Sequence, residues 1–215
     1  MAKVRTCVYV DGFNVYFGIR YTPYRWLNLG KLATLLVSNA QIERIRYFTA
    51  RIEARGDPEQ PARQDTYLRA LGTIPRLSIH YGRFLSSQVR MAHVHPALIG
   101  PRTALVWKTE EKGSDVNLAT YLLADGFQKK YEQAVVISND TDLLAPIRMI
   151  CQELRLPVIV LNPTEHYSKQ MHEACTRYQP ISVASLRAAE FDTEMADAVG
   201  PIRRPGGWDG PKPKL

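Results

Sequence analysis

The segment at residues 134–138, Ala-Val-Val-Ile-Ser, constrains this chain more than any other. It is β-branched, apolar at consecutive positions and closed by Asn139-Asp140, so it reads as a strand with core on both faces. Residues 6–10 (Thr-Cys-Val-Tyr-Val) and 157–161 (Pro-Val-Ile-Val-Leu) have the same character. A strand buried on both faces needs helices above and below it, and helical periodicity separates these runs. The expected fold class is α/β, an open, mainly parallel sheet with helices on both faces.

The remaining elements follow from spacing. Residues 13–20 suit a short helix. Leu29, Leu32, Leu35 and Leu36 recur at helical spacing behind Asn28, a capping residue type. Residues 42–52 read as a strand, 53–61 as a loop around Gly56-Asp57-Pro58, 62–71 as a helix and 77–81 as a third strand. Residues 86–102 show no clean period and are expected to form a long, mobile surface loop. Residues 103–108 resume strand character. A helix is expected over 114–127, with Val116, Leu118, Ala119, Leu122, Leu123 and Phe127 on one broad apolar face. Another runs through Leu143, Leu144, Ile147, Ile150 and Leu154, and shorter ones cover 165–175 and 183–191. From Ala196 onward Gly and Pro are frequent, and Trp208 stands alone in a segment expected to be partly disordered or packed by that ring. The reading divides the chain into a folded domain over 1–190 and a basic, Pro/Gly-rich tail over 191–215.

Bulk properties narrow the function. With 215 residues, 45% of them hydrophobic, the chain suits one domain with a sizeable core. No run of about 18 apolar residues is present, so no membrane partner is expected. The N-terminus enters the first strand without the apolar stretch of a signal peptide. Cys7, Cys151 and Cys175 match neither a zinc pattern nor a disulfide framework, which points to a reducing, cytoplasmic setting. The net charge of +7 favours polyanions, although many proteins that touch no nucleic acid are as basic. Much of the excess is arginine, at Arg44, Arg46, Arg51, Arg55, Arg63, Arg69, Arg76, Arg83, Arg90 and Arg102, which suits phosphate contact.

Four aspartates carry the chemistry. Asp11 follows the first buried strand. Asp140 and Asp142 follow the strand at 134–138. Asp115 follows residues 103–108 by way of Glu110-Glu111-Lys112-Gly113 and opens a helix. Ligands of open parallel sheets bind beyond the carboxyl ends of the strands, so all four are expected at one edge. Gathered carboxylates repel unless a cation neutralises them, and a hard, oxygen-seeking ion such as Mg²⁺ suits this set better than zinc. The ordinary role of Asp at such a turn is helix capping. Asp115 and Asp140 each fit it, whereas Asp11 precedes glycine and Asp140-x-Asp142 doubles the charge at one turn.

The segments Val10-Asp11-Gly12-Phe13-Asn14-Val15, Glu111-Lys112-Gly113-Ser114-Asp115-Val116 and Val136-Ile137-Ser138-Asn139-Asp140-Thr141-Asp142-Leu143 resemble, in order and spacing, the signature segments of NYN domains, which are PIN-like nucleases. The resemblance covers roughly residues 3 to 175. It implies a PIN-like sheet and an Mg²⁺- or Mn²⁺-dependent endoribonuclease acting on single-stranded or structured RNA. Asp11, Asp115 and Asp140 then match metal ligands, and Asp142 a ligand through water or an outer carboxylate. Asn14 is expected to orient Asp11 or a substrate phosphate. Ser138, Asn139 and Thr141 are expected to hold the carboxylates or contact phosphate. Lys112 is a candidate phosphate contact, with a solvated loop lysine as its ordinary alternative. Fold alone does not guarantee activity. An RNA-binding or scaffold module with an idle site, and a nuclease preferring DNA, stay open, and a homodimer is compatible with this reading.

Other motifs carry less. His93 and His95 alternate in the long loop without a nearby Cys or carboxylate and suit a solvated or loop-packing role. Tyr16, Phe17, Tyr21, Tyr24 and Trp26, interleaved with Arg20 and Arg25, suit core packing, with one or two rings left for an RNA groove. No phosphate-binding glycine loop or dinucleotide fingerprint is present. A haloacid-dehalogenase-type phosphatase would need a second Asp where Phe13 stands.

Overall fold

The computed structural model describes residues 3–54, 57–95, 100–208 and 210. In chain order the elements are β1 (Val4–Asp11), α1 (Gly12–Ile19), α2 (Leu29–Leu36), β2 (Ala40–Thr49), α3 (Gln60–Gly72), β3 (Leu77–Tyr81), β4 (Arg83–Ala92), β5 (Thr103–Lys112), α4 (Ser114–Phe127), β6 (Gln133–Ile137), a 3₁₀ turn (Thr141–Leu143), α5 (Leu144–Gln152), β7 (Val158–Asn162), α6 (Lys169–Ala174), β8 (Arg177–Pro180), α7 (Val183–Ala188), β9 (Glu194–Asp197) and β10 (Gly200–Arg203). Six strands form one sheet in the order β3-β2-β1-β6-β7-β8, and every neighbouring pair is parallel.

The unbroken apolar runs have the consequence expected of them. Cys7 and Tyr9 of β1 join Ala134, Val136, Val158 and Val160 beneath α4, α5 and α6. Val8 and Val10 join Val135, Ile137, Ile159 and Leu161 in the core of the opposite face, with α1, α2, α3 and α7. From β1 the chain winds outward through β2 and β3 on one side, and from β6 through β7 and β8 on the other. The carboxyl ends of β1 and β6 are therefore a topological switch point, where a parallel sheet leaves an open crevice.

Four expectations need correction. Residues 86–102 are not one long loop. Most of their first half belongs to β4, which pairs antiparallel with β5 from Arg83↔Lys112 to Ala92↔Thr103. Its side chains are almost all exposed, so it lacks the apolar alternation that marks a half-buried strand. For the same reason β5 is not a strand of the central sheet, and it runs on through Glu110, Glu111 and Lys112, which the sequence suggested were a loop. β8 was unforeseen. It is a short edge strand on β7 whose Arg-Tyr-Gln-Pro sequence has no apolar signature. On α4, Leu118 and Leu122 are buried while Val116 and Phe127 lie in solvent, so the apolar face is narrower than its spacing implied.

The core does not stop at residue 190. Phe191, Ile202 and Trp208 all belong to it, and the Trp208 ring lies 5.7 Å from Tyr67 and 6.2 Å from Trp26. Arg69 of α3 binds both carboxylate oxygens of Asp197 in β9.

Several of the arginines are structural. Arg46, buried in β2, donates to both oxygens of Asp125 in α4 at 2.8 and 3.1 Å. The Tyr9 hydroxyl and the Lys130 ammonium also donate to that carboxylate, at 2.9 and 3.2 Å. Arg63 pairs with Asp57 and Glu59, and Arg76 donates to the Ile42 carbonyl. These side chains brace the fold.

Burial opposes ionisation of Asp125, and the hydrogen bonds from Arg46 and Tyr9 outweigh it, so its pKa is lowered. A lowered carboxylate stabilises the fold fully above its unfolded pKa of about 3.9, and that contribution is lost as pH falls through the folded value. Arg46→Ala strands the Asp125 charge in the interior and is expected to cost about 3–5 kcal/mol in urea denaturation at neutral pH. A cost below about 1 kcal/mol, the range of exposed ion pairs, would show that Asp125 is held by other means.

Candidate metal centre

The site grows from the end of β1. Asp11 is its last residue, is 4% exposed and has an extended backbone. Asn14 N–H donates to Asp11 Oδ1 at 2.9 Å, so Asp11 caps α1 through one oxygen. Residue 12 is packed too closely for a side chain, which suits glycine. A Cβ on Gly12 would stand 2.6 Å from the Tyr47 hydroxyl and 2.7 Å from the Phe48 carbonyl.

β6 supplies the second wall. Val10 pairs with Ile137, so the next residues along the two chains, Asp11 and Ser138, are neighbours across the switch point. The Ser138 hydroxyl donates to Asp11 Oδ2 at 2.9 Å and accepts from Asp140 N–H at 3.0 Å. Asp140 Oδ1 in turn accepts from Asp142 N–H and caps the 3₁₀ turn. Asn14 Oδ1 accepts from Asn139 N–H at 2.9 Å and closes the link from α1 back to β6.

The third carboxylate arrives by a different route. The β4–β5 hairpin delivers the chain to Gly113, whose φ of +102° favours glycine, and α4 begins at once. Gly113 has no capping side chain. Glu111 reaches forward instead, accepting from Ser114 N–H at 3.1 Å and from the Ser114 hydroxyl at 2.6 Å. The capping role that was the ordinary alternative for Asp115 belongs to Glu111, and Asp115 stands in the first turn with its carboxylate uncommitted to the helix end.

Asp11, Asp115 and Asp140 converge. Each offers one carboxylate oxygen, and these atoms lie within 4.8 Å of one another. Asp142 is exposed and outside this group, so the structure gathers three of the four aspartates. Burial and then the charges of Asp11, Asp140, Glu111 and Asp142 push Asp115 up to about 6. Burial also raises Asp11, against the hydrogen bonds from Asn14 and Ser138. Among the described residues no Lys or Arg forms an ion pair with the three. An all-oxygen donor set with unrelieved negative charge fits a hard divalent cation.

The other sequence-predicted residues sort by contact. Ser138 holds Asp11 and Asp140, and Asn14 holds Asp11 and links α1 to Asn139. The Asn139 side chain donates to Thr164 Oγ1 and the His166 carbonyl and accepts from the Tyr178 hydroxyl, so it is committed to the scaffold. Thr141 is exposed at the start of the 3₁₀ turn. Lys112 lies in β5 beside Glu110, at 3.5 Å. Sequence reasoning assigned no role to Glu111, Asn162 or Tyr178. Asn162 ends β7 as Asp11 ends β1, and holds Thr164 and the His166 carbonyl; that strand-end position was its one available signal. Nothing in the sequence marks Tyr178.

A raised carboxylate pKa opposes folding when the group is ionised, so Asp115 weakens the metal-free fold as pH rises from about 4 through about 6. Asp115→Asn is therefore expected to raise the metal-free Tm at pH 7, at roughly 2–4 °C per kcal/mol of repulsion removed. The gain should shrink as pH falls toward 4. An unchanged Tm at pH 7 would mean that the carboxylates do not repel.

Comparison with known proteins places this geometry in a family. The NYN domain model matches residues 5–182. The 6-hydroxy-3-succinoylpyridine 3-monooxygenase HspA of Pseudomonas putida is 29% identical over 229 residues, covering 94% of this chain and 73% of that one. A crystal structure of a protein of unknown function from Vibrio parahaemolyticus superposes with a TM-score of 0.53 at 15% identity, over 84% of this chain and 94% of that one, and shares the fold. With its three signature segments meeting at one switch point, the chain belongs to the NYN domain family and has its PIN-like α/β fold.

Proposed function

We propose that this chain is a metal-dependent endoribonuclease that hydrolyses RNA phosphodiester bonds at Asp11, Asp115 and Asp140. The observation that supports it best is the convergence of three carboxylate oxygens within 4.8 Å in an NYN domain. Mg²⁺ or Mn²⁺ bound there would supply a water of lowered pKa and charge neutralisation at the phosphate. The chain's own work is positional. Ser138 and the Asn14 amide fix both oxygens of Asp11, the Ser138 hydroxyl sets Asp140, and Glu111 starts α4 so that Asp115 faces the other two. Asp142, close enough to raise Asp115, serves as an outer carboxylate. Lys112 and Thr141 are exposed and are assigned to the incoming phosphate backbone; Ser138, Asn139 and Asn14 act through the scaffold.

Asp11→Asn and Asp140→Asn are expected to abolish Mn²⁺-dependent cleavage of single-stranded and structured RNA while keeping the native circular dichroism. EDTA should do the same to wild type. Full activity in either purified variant would remove the ligand assignment, and equal cleavage of DNA would remove the RNA preference. RNA binding without cleavage across substrates would favour an idle-site binding module.

A second reading has one observation behind it. The likeness to the Pseudomonas monooxygenase extends over 94% of this chain, beyond residues 5–182. On that reading the chain acts on a hydroxylated pyridine in an oxygen-consuming reaction. Oxygen uptake with 6-hydroxy-3-succinoylpyridine and a reductant would select it. No uptake by a preparation that cuts RNA would select the nuclease.

A further inference from the structure

Beside the carboxylates lies a cavity of about 450 Å³ that the cluster does not use. Its volume falls in the range of small-molecule sites. Phe13 and Tyr16 of α1, Tyr47 of β2, Tyr67 of α3, Phe84 of β4 and Trp208 turn their rings toward it. It is a cleft partly open to solvent, and its walls need contacts that hold them in place.

The polar groups around the cavity do that. Tyr67 donates to the Leu27 carbonyl at 2.8 Å. Gln64 bridges the Ala50 carbonyl and Ile52 N–H at 2.9 and 3.0 Å. Arg25 binds the carbonyls of Gly207 and Gly210, and its guanidinium lies 5.7 Å from the Trp208 ring centre. Arg63 is engaged by Asp57 and Glu59. Among the described residues both lining cations, Arg25 and Arg63, are thus engaged in bracing the walls. Ring faces and edges are what the cavity offers. Phe13 and Phe84 meet edge to face at 5.7 Å, and Tyr67 meets Trp208 in the same way at 5.7 Å. Thr49 and Gln60 add a few polar atoms to this lining. The cavity is near the carboxylates but distinct from them. Gly12 lines it and directly follows Asp11, and Phe84 pairs across the hairpin with Glu111, the residue that caps the helix of Asp115.

We propose that this cavity is a binding site for one small, planar, uncharged heteroaromatic molecule. Aromatic walls match the faces of such a ring, and the few polar atoms match its heteroatoms. The proposal rests on the cavity alone and stands whether or not the chain cuts RNA.

The test is calorimetric titration with free 2-hydroxypyridine, uracil and adenine, beside uridine and adenosine monophosphates and a short single-stranded RNA, with tryptophan fluorescence reporting on Trp208. Wild type should bind at least one free ring saturably at one site. Phe84→Ala should weaken that binding about 3- to 10-fold, the value of one aromatic partner. Gln60→Trp, which fills the cavity from its rim, should abolish it. Asp140→Asn should bind the ring as wild type does, even where cleavage is lost, which separates this site from the metal reading. No saturable binding by any of the three rings overturns the proposal, and so does binding by the nucleotides or RNA alone. Undiminished binding in a natively folded Gln60→Trp overturns it as well. If that variant does not fold, Phe84→Ala decides.

Discussion

The bond from the Ser138 hydroxyl to the Asp11 carboxylate is the joint on which the site depends. It spans the seam between β1 and β6, where the halves of the sheet wind apart and no crossover helix covers the strand ends. A nearly buried carboxylate is costly unless its oxygens are satisfied. Here one oxygen takes the Asn14 amide and the other the Ser138 hydroxyl. The same hydroxyl accepts from Asp140 N–H, so one serine sets two of the three acids. Behind it, Asn14 holds Asn139, and Asn139 holds the loop after β7 and Tyr178 of β8. The joint therefore ties together the carboxyl ends of β1, β6 and β7, with Tyr178 of β8 beside them.

Satisfied hydrogen bonds do not cancel charge. With Asp115 brought against Asp11 and Asp140, repulsion and burial lift it to about 6. Sites with pKa values displaced in this way are where function concentrates. The fold invests local structure in creating the repulsion. A ten-residue-per-strand hairpin, a left-handed glycine at residue 113 and the Glu111 cap all serve to start α4 at the right place. A helix capped by Asp115 itself would have turned that carboxylate onto its own backbone.

The basic character of the chain has a different meaning from the one its composition suggested. Arg46, Arg63, Arg69 and Arg76 bind carboxylates or carbonyls of the fold itself, and Arg25 fastens the C-terminal segment beside the aromatic cavity. That segment is part of the architecture through Trp208, which closes one cavity wall. Polyanion attraction thus rests on net charge and on those basic side chains that remain in solvent, not on the arginine count.

Local sequence determined the sheet. Runs such as 134–138 are apolar at every position, and only a strand covered on both faces can hide them, so the α/β class, most strands and helices, and the strand-end placement of Asp11 and Asp140 were legible without coordinates. The three signature segments named the family for the same reason, because backbone turns at strand ends demand those residue types. Tertiary structure decided what depends on separation in space. The hairpin is held by its own ladder in solvent and carries no core pattern to read. Which acid caps and which faces its neighbours turned on Glu111 and on the hairpin's geometry: Asp11 both caps α1 and joins the carboxylate group, while Glu111 caps α4 and leaves Asp115 to face the other two. Asp142, two positions beyond Asp140, lies exposed in the 3₁₀ turn and outside the group of three. The cavity is assembled from α1, β2, α3, β4 and the C-terminal segment, and no single stretch of sequence contains enough of it to announce a site.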